Sequence, residues 1–217
     1  MKPPPLVYTP PDTPLTVLHE DTHCLVLDKP AGLLAVPGKT PGLADCLEAR
    51  ARARWPDALT VHRLDLATSG VCVLARGAAA HRHLSMQFAR RHVAKRYTAL
   101  VHGAVWAATG AIDLPMRADW PHRPRQMIDP AQGRPALTRW RITARHGAST
   151  RLALEPLTGR SHQLRLHLLA LGHPILGDLI YGGGTAEAPR LMLHAAALTF
   201  RHPADGRPVT VSAPDPF

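Results

Sequence analysis

Aromatic residues make up only 5% of this sequence, so its core has to be filled mainly by Leu, Val and Ala. Cysteine is scarcer still. Cys24, Cys46 and Cys72 are odd in number and widely spaced, which excludes a disulfide framework or a CxxC metal knuckle and leaves reduced core thiols. Long apolar runs are missing too. The longest stretch without a charged residue, Tyr97 to Ile112, holds 16 residues and includes His102, Gly103 and Gly110, short of the roughly 20 apolar residues of a membrane-spanning helix. After Met1-Lys2 the chain runs into Pro3-Pro4-Pro5 with no apolar h-region, so no secretory signal is read and a cytoplasmic protein with no membrane partner is expected.

Acidic charge is the most unevenly missing feature. Against 26 basic residues there are 16 acidic ones, for a net charge of +10, and only Lys2, Lys29, Lys39 and Lys95 among the basic set are lysines. Arginine forks onto phosphate oxygens. A composition biased toward Ala, Arg and Pro would give the same net charge, so distribution decides. From Leu66 to Ile112 there is no carboxylate, while Arg76, Arg82, Arg90, Arg91, Lys95 and Arg96 all fall in that window. The cluster Arg90, Arg91, Lys95 and Arg96 is a candidate phosphate-facing patch, which points to nucleic-acid binding.

What is present is 217 residues with 45% hydrophobic content, enough for a self-sufficient core in one or two domains. Residues 1–14 carry six prolines and no apolar period, which predicts an extended, polyproline-like arm outside the core, with a catalytic domain over 15–217. Short apolar runs at Leu15–Leu18, Cys24–Leu27 and Val71–Ala75 read as strands. Over Gly77–Arg91 the period changes: Ala80, Leu84 and Phe88 recur at helical spacing. Strands return at Arg96–Val101, Leu137–Ala144 and Arg151–Glu155, the last two as a hairpin. Ser161 is a candidate cap for a helix to Leu171 with a polar stripe of His162 and Arg165, and late strands are expected at Leu191–Phe200 and Val209–Val211. Few helices among many strands predict an α+β fold on a mixed, mostly antiparallel sheet.

Several chemistries fail on spacing. Gly38-Lys39-Thr40 lacks the leading glycine of a P-loop, since position 33 is Leu33. Ser69 lacks the first glycine of a nucleophile elbow, because position 67 is Ala67. The fourteen histidines include no HExxH, so no metal site is expected.

The informative stretch is Val61-His62-Arg63-Leu64-Asp65. In an extended chain Arg63 and Asp65 share a face, which serves a structural ion pair as well as a reactive carboxylate. Three further segments narrow the choice. Asp65 leads into Leu66-Ala67-Thr68-Ser69-Gly70, then come Lys95-Arg96-Tyr97-Thr98-Ala99-Leu100-Val101, then Gly159-Arg160-Ser161-His162-Gln163-Leu164-Arg165-Leu166-His167. Together they resemble the RluA family of pseudouridine synthases. The resemblance runs from about Leu15 to Val211. It includes Asp28-Lys29-Pro30-Ala31-Gly32, His173-Pro174-Ile175-Leu176-Gly177-Asp178, Tyr181-Gly182 and Arg190-Leu191-Met192-Leu193-His194-Ala195. Asp28 departs from the asparagine more usual before Lys-Pro. Only fourteen residues precede the core, so the resemblance is to members without an S4-type domain, which modify loop uridines of the tRNA anticodon stem-loop and of 23S rRNA.

The resemblance implies that uridine is isomerised to pseudouridine. The N1–C1′ bond breaks and C5 is joined to C1′, with no redox cofactor or metal. Asp65 would be the catalytic carboxylate, attacking C1′ or taking the C2′ proton. Arg165 would keep it ionised, and Tyr97 would stack on the detached uracil. Arg63 would fill the gap left by the flipped base. Arg160, His162, Gln163 and His62, with the basic cluster above, make up the implied RNA-binding set, although His62 and Leu64 also fit as packing on the opposite face. The protein is expected to act as a monomer. Two other readings share these features: an RNA-binding module without turnover, and a glycosidase that releases free base.

Overall fold

The computed structural model describes residues 8–182 and 188–217, so the first half of the proline-rich arm lies outside the described residues. In chain order the elements are β1 (Thr16–Glu20), β2 (Cys24–Lys29), α1 (Leu47–Arg54), β3 (Ala58–Thr60), β4 (Ser69–Arg76), α2 (Gly77–Ala89), β5 (Ala94–His102), β6 (Thr109–Asp113), β7 (Met116–Ala118), β8 (Gln126–Ile128), β9 (Leu137–His146), β10 (Ser149–Pro156), α3 (Gln163–Ala170), β11 (Leu193–Arg201) and β12 (Pro208–Ser212). The fold is α+β, and most strand pairs are antiparallel, as expected. The chain forms two compact units, one of Leu6–Lys95 with His194–Pro216, the other of Arg96–Leu193 with Phe217.

In the first unit the strand order is β1-β2-β4-β11, with β3 on β4 and β12 on β11. β4 is central, and Ser69 to Ala75 are buried along its whole run, which explains why it reads as continuously apolar and not alternating. Val71 and Val73 of β4 pack with Val26 of β2, Phe200 of β11 and Val209 of β12. Ala80 and Leu84 of α2 join that core with Phe88 packed against it, the predicted helical stripe. Burying a side chain such as Leu84 stabilises by about 1.5–3 kcal/mol. Gly77, at φ 79°, lets the chain leave β4 and enter α2 at once. β4 and β11 run parallel, with His194 opposite Ser69 and Ala195 opposite Gly70. A Cβ on Gly70 would lie 2.3 Å from the Ala195 carbonyl oxygen, so this close pairing requires glycine.

In the second unit the order is β5-β10-β9-β6, all antiparallel. β9 and β10 form the predicted hairpin, and β7 and β8 make a separate two-stranded arm.

The structure departs from the sequence reading in several places, three of them in these two units' frameworks. α1, Leu-Glu-Ala-Arg-Ala-Arg-Ala-Arg, buries only Leu47 and Ala51 and so shows little apolar period; its cap is Cys46, whose Sγ accepts from Ala49 N–H at 3.3 Å. α3 begins at Gln163 and not at Ser161, because His162 takes a left-handed backbone (φ 55°). The described part of the arm is fastened to its unit. The Tyr8 hydroxyl donates to the Asp45 carbonyl at 2.8 Å and accepts from Leu34 N–H at 3.0 Å, and Arg50 Nη1 donates to the Thr13 carbonyl. Among the described residues, no helix is long and apolar enough to cross a membrane.

Candidate active site

Asp65 sits in the loop that feeds β4. Its carbonyl accepts from Thr68 N–H at 3.1 Å, closing a turn over Asp65–Thr68, and the half-buried side chain stands between buried Leu64 and exposed Arg63 on one flank and the turn on the other. The loop is pinned from beneath by the Asp28-Lys29-Pro30-Ala31-Gly32 segment. Lys29 is fully buried, and its Nζ donates to the carbonyls of Pro30 (2.9 Å), Leu33 (2.7 Å) and Leu66 (3.2 Å). Gly32 N–H adds a 2.9 Å bond to the same Leu66 carbonyl. A buried ammonium that collects main-chain carbonyls fixes backbone shape, since leaving those carbonyls or the charge unpaired would be costly. At the other end of the turn the Ser69 hydroxyl meets His194 Nδ1 at 2.9 Å, both side chains buried. The sequence offers Ser69 as a turn residue, and gives Lys29 and His194 no role beyond the motifs they lie in.

His62 is used inside the unit, as the packing alternative had it. Its Nε2 accepts from Val73 N–H at 3.0 Å and its ring stacks on Phe88, centroids 4.4 Å apart. Burial, with the nearby charge of Lys95, pushes its pKa down to about 3, so the ring is neutral. Arg90 and Arg91, at the end of α2, are exposed, and Arg91 takes a left-handed backbone (φ 61°). Lys95 is half-buried, and burial with the charge of Arg91 lowers its pKa to about 8.

In the second unit, Arg96 and Tyr97 are successive residues of β5 and project to opposite faces. Arg96 is exposed, and Tyr97 is half-buried opposite Leu154 of β10. The expected polar stripe on α3 is replaced by burial of Gln163 through Leu168. Arg165 is 5% exposed and clasps Asp178 with Nε to Oδ2 at 2.7 Å and Nη2 to Oδ1 at 2.6 Å. Asp178 Oδ1 also accepts from Ile180 and Tyr181 N–H. Burial alone would raise the Asp178 carboxyl, but the bonds and charge of Arg165, with those two N–H groups, hold it below the usual carboxylate range. Asp178 was invisible as a partner because thirteen residues and a turn separate it from Arg165.

Gln163 and His162, both in the implied RNA-binding set, also make bonds within the unit. Gln163 Oε1 accepts from Thr158 Oγ1 and Arg160 N–H, while its Nε2 donates to the Leu137 carbonyl and Thr138 Oγ1, so its amide is saturated in the interior. His162 Nδ1 meets the Tyr181 hydroxyl at 3.0 Å. Arg160 stays half-buried, its Nε donating to the Pro135 carbonyl at 3.2 Å.

Potential metal-ligand atoms gather elsewhere, in the sets His19-Asp21-Cys24 and Asp21-His23-His202. The long separation of His202 hid this cluster from spacing rules. There Asp21 Oδ2 takes hydrogen bonds from His19 (2.8 Å), His202 (3.0 Å) and Cys24 (3.4 Å), and Oδ1 takes the N–H groups of His23 and Cys24. A carboxylate acting as hub of a β-turn accounts for the gathering.

A family model described as RNA pseudouridylate synthase matches residues 23–170. The dual-specificity RNA pseudouridine synthase RluA of Escherichia coli strain K12 is 48% identical over 97% of this chain and 98% of its own length. The protein of the same name from Haemophilus influenzae is 46% identical over the same shares. Among solved structures, human RNA pseudouridylate synthase domain containing 1 matches with a TM-score of 0.79 and 33% identity, covering 100% of this chain and 87% of that one. Human RNA pseudouridylate synthase domain containing 4 matches with a TM-score of 0.73 and 26% identity, covering 93% and 88%.

Proposed function

Because this chain belongs to the RluA family of RNA pseudouridylate synthases, and is therefore an isomerase that makes pseudouridine in RNA, we propose that it modifies loop uridines of both the tRNA anticodon stem-loop and 23S rRNA, with Asp65 as the catalytic carboxylate. Support for the pair of substrates is the near full-length identity to relatives named for dual specificity. The observation that carries the role of Asp65 is its place on a turn whose main chain is held by Lys29, Gly32 and Thr68 while the side chain stays half-exposed. A carboxylate presented on fixed backbone is preorganised for a substrate that has to be brought to it.

The reaction is balanced within the nucleotide. The N1–C1′ bond breaks, the uracil turns, C5 bonds to C1′, and the proton leaving C5 is matched by one gained at N1. Asp65 acts at the ribose; the aromatic face of Tyr97 takes the detached base, with its hydroxyl orienting the base edge. Arg63, exposed and next but one to Asp65, fills the space of the flipped base. Arg165 is the basic member of the catalytic set, and its fork is held in one orientation by Asp178. Arg90, Arg91, Lys95, Arg96 and Arg160 contact RNA phosphates. Residues 15–217 act as one catalytic domain of a cytoplasmic monomer, and the chemistry uses no cofactor.

The test is purified protein on three RNAs: an isolated anticodon stem-loop with its uridine on the 5′ side of the loop, full tRNA, and the same uridine locked in a duplex. A loop base is already partly unstacked, so the stem-loop is expected to react at a rate near that of tRNA and the duplex to be nearly inert. Efficient modification of the duplex, or a strict need for an assembled ribosome, overturns the substrate reading. Release of free uracil would point to a glycosidase instead.

A further inference from the structure

The gathering around Asp21 lies within the first unit, at the turn from β1 to β2, and has no part in the chemistry above. Asp21 N–H donates to the Cys24 carbonyl at 3.0 Å, and Asp21 Oδ1 accepts from the N–H groups of His23 (2.7 Å) and Cys24 (2.8 Å). Those bonds make the turn and occupy one carboxylate oxygen. The other oxygen, Oδ2, serves side chains: His19 Nε2 at 2.8 Å, His202 Nε2 at 3.0 Å and Cys24 Sγ at 3.4 Å. The ligand atoms of His19, Asp21 and Cys24 all lie within 4.8 Å of one another.

A turn alone does not bring His19 to this place. The pairing of β1 with β2 runs Thr16 to Asp28 and Val17 to Leu27, then passes over Leu18, so that His19 stands opposite Val26. In an unbroken ladder His19 would fall opposite Leu25 and point to the other face. The bulge turns it onto the face of Val26, which is also that of Cys24 two residues earlier. The result is an imidazole, a carboxylate and a fully buried thiol on one side of a hairpin end. Asp21 is braced from behind as well. The His202 side chain that meets it is 7% exposed and has its other ring nitrogen 3.4 Å from Asp205 Oδ1, the kind of outer bonding that holds ligating carboxylates. His19 and Asp21 keep 30% and 26% of their side-chain surface exposed, which leaves a way in from solvent.

We propose that His19 Nε2, Asp21 Oδ2 and Cys24 Sγ form a structural binding site for a divalent cation of the zinc class, with His202 orienting Asp21 and a solvent water as the fourth ligand. An ion held at about 2.0–2.3 Å from each ligand sets tetrahedral neighbours roughly 3–4 Å apart, close to the separations already present. Sulfur, nitrogen and oxygen together suit zinc, whereas magnesium and calcium take oxygen. In the metal-free chain hydrogen bonds fill the same positions, and burial with the charge of Asp21 pushes the Cys24 thiol up to about 12. On binding, that thiol gives its proton to solvent, and thiolate and carboxylate together balance the two charges of the ion. The site staples the β1–β2 turn to the β11–β12 turn that carries His202, and it is independent of which uridines are modified.

The experiment uses the full chain without a histidine tag, stripped with EDTA and titrated with Co²⁺, whose absorption reports its ligands. Wild type should bind one equivalent with a near-ultraviolet thiolate-to-cobalt charge-transfer band and intense visible bands of tetrahedral cobalt, all lost on adding Zn²⁺. Zn²⁺ at a hundredfold excess over its Kd should raise the melting temperature by roughly 5–10 °C. Cys24→Ser should abolish the charge-transfer band. His19→Ala changes a part-exposed side chain, so it should keep the metal-free melting temperature while weakening Co²⁺ binding at least about tenfold. Cys46 and Cys72 remain in both variants, so a thiolate band that survives Cys24→Ser overturns the assignment. So does cobalt bound without any thiolate band, the result expected of scattered surface histidines, and so does equal affinity in wild type and His19→Ala.

Discussion

Asp65 and Asp178 are two carboxylates held in opposite ways. Asp178 is 3% exposed, and donors from Arg165, Ile180 and Tyr181 converge on its oxygens. Around Asp65 the bonds that fix the loop run to main-chain atoms, from Lys29 and Gly32 to the Leu66 carbonyl and from Thr68 to the Asp65 carbonyl. The first arrangement makes the carboxylate part of the scaffold. The second builds the main chain behind the carboxylate into the scaffold. The two also differ in exposure, since Asp178 is closed off from solvent while Asp65 is half-buried.

Five measurements can break or sharpen that comparison. The largest effect is expected at Asp65→Asn, which keeps shape and removes charge. Turnover, followed as loss of the C5 hydrogen from uridine, should fall at least about a thousandfold, with RNA affinity and melting temperature close to wild type. Appreciable pseudouridine from this variant would sink the assignment. Asp178→Ala should show the reverse balance, because it removes the buried carboxylate that clasps Arg165. A stability loss of about 3–5 kcal/mol is expected in urea unfolding, and a variant as stable as wild type would mean that Asp178 is not part of the scaffold.

Lys29→Met is the intermediate case. It removes the ammonium from three carbonyls, for a loss of about 2 kcal/mol. The loosened Asp65 loop should cost kcat about tenfold or more while KM moves little. A stability loss with unchanged kcat would show that the loop does not need its pin.

The smallest effects are in pH. The His62 pKa is about 3 in the folded chain against about 6.5 when unfolded. Below pH ~6.5 the unfolded chain gains a proton that the folded one refuses, so stability is full above that pH and declines toward pH 3, by at most about 1.4 kcal/mol per pH unit. Denaturation between pH 7.5 and 5 should register this decline, and His62→Gln should flatten it. Lys95, lowered to about 8, should lose charge as pH rises through that value. RNA affinity should therefore weaken severalfold from pH 7 to 9 in wild type and less in Lys95→Ala.

Much of the fold was legible because its signals are local. The stripe of Ala80, Leu84 and Phe88 can face only one way on a helix, and the apolar run of β4 is what a strand covered on both faces looks like. α1 was missed since alternating Ala and Arg give no apolar face to read. The three-residue strands of the arm are too short for any period. At the site, motif spacing picked out the segments and left open which residues within them meet substrate and which hold the frame. Gln163 looks like a nucleic-acid ligand on paper, and only the positions of Leu137, Thr138 and Thr158 reveal that its amide is already spoken for.

The parallel pairing of β4 with β11 has a consequence for biogenesis. The strand that continues from the Asp65 loop lies against residues 125 positions later, Ser69 against His194, with no side chain at Gly70 to hold the two backbones apart. During synthesis β1, β2 and β4 can pair as soon as they emerge, but that side of the loop stays unbraced until almost the whole polypeptide has left the ribosome. Such a distant closing contact makes the last step of assembly slow relative to the first. The Asp65 turn is then finished late, and a truncated nascent chain carries that turn without the brace that β11 supplies.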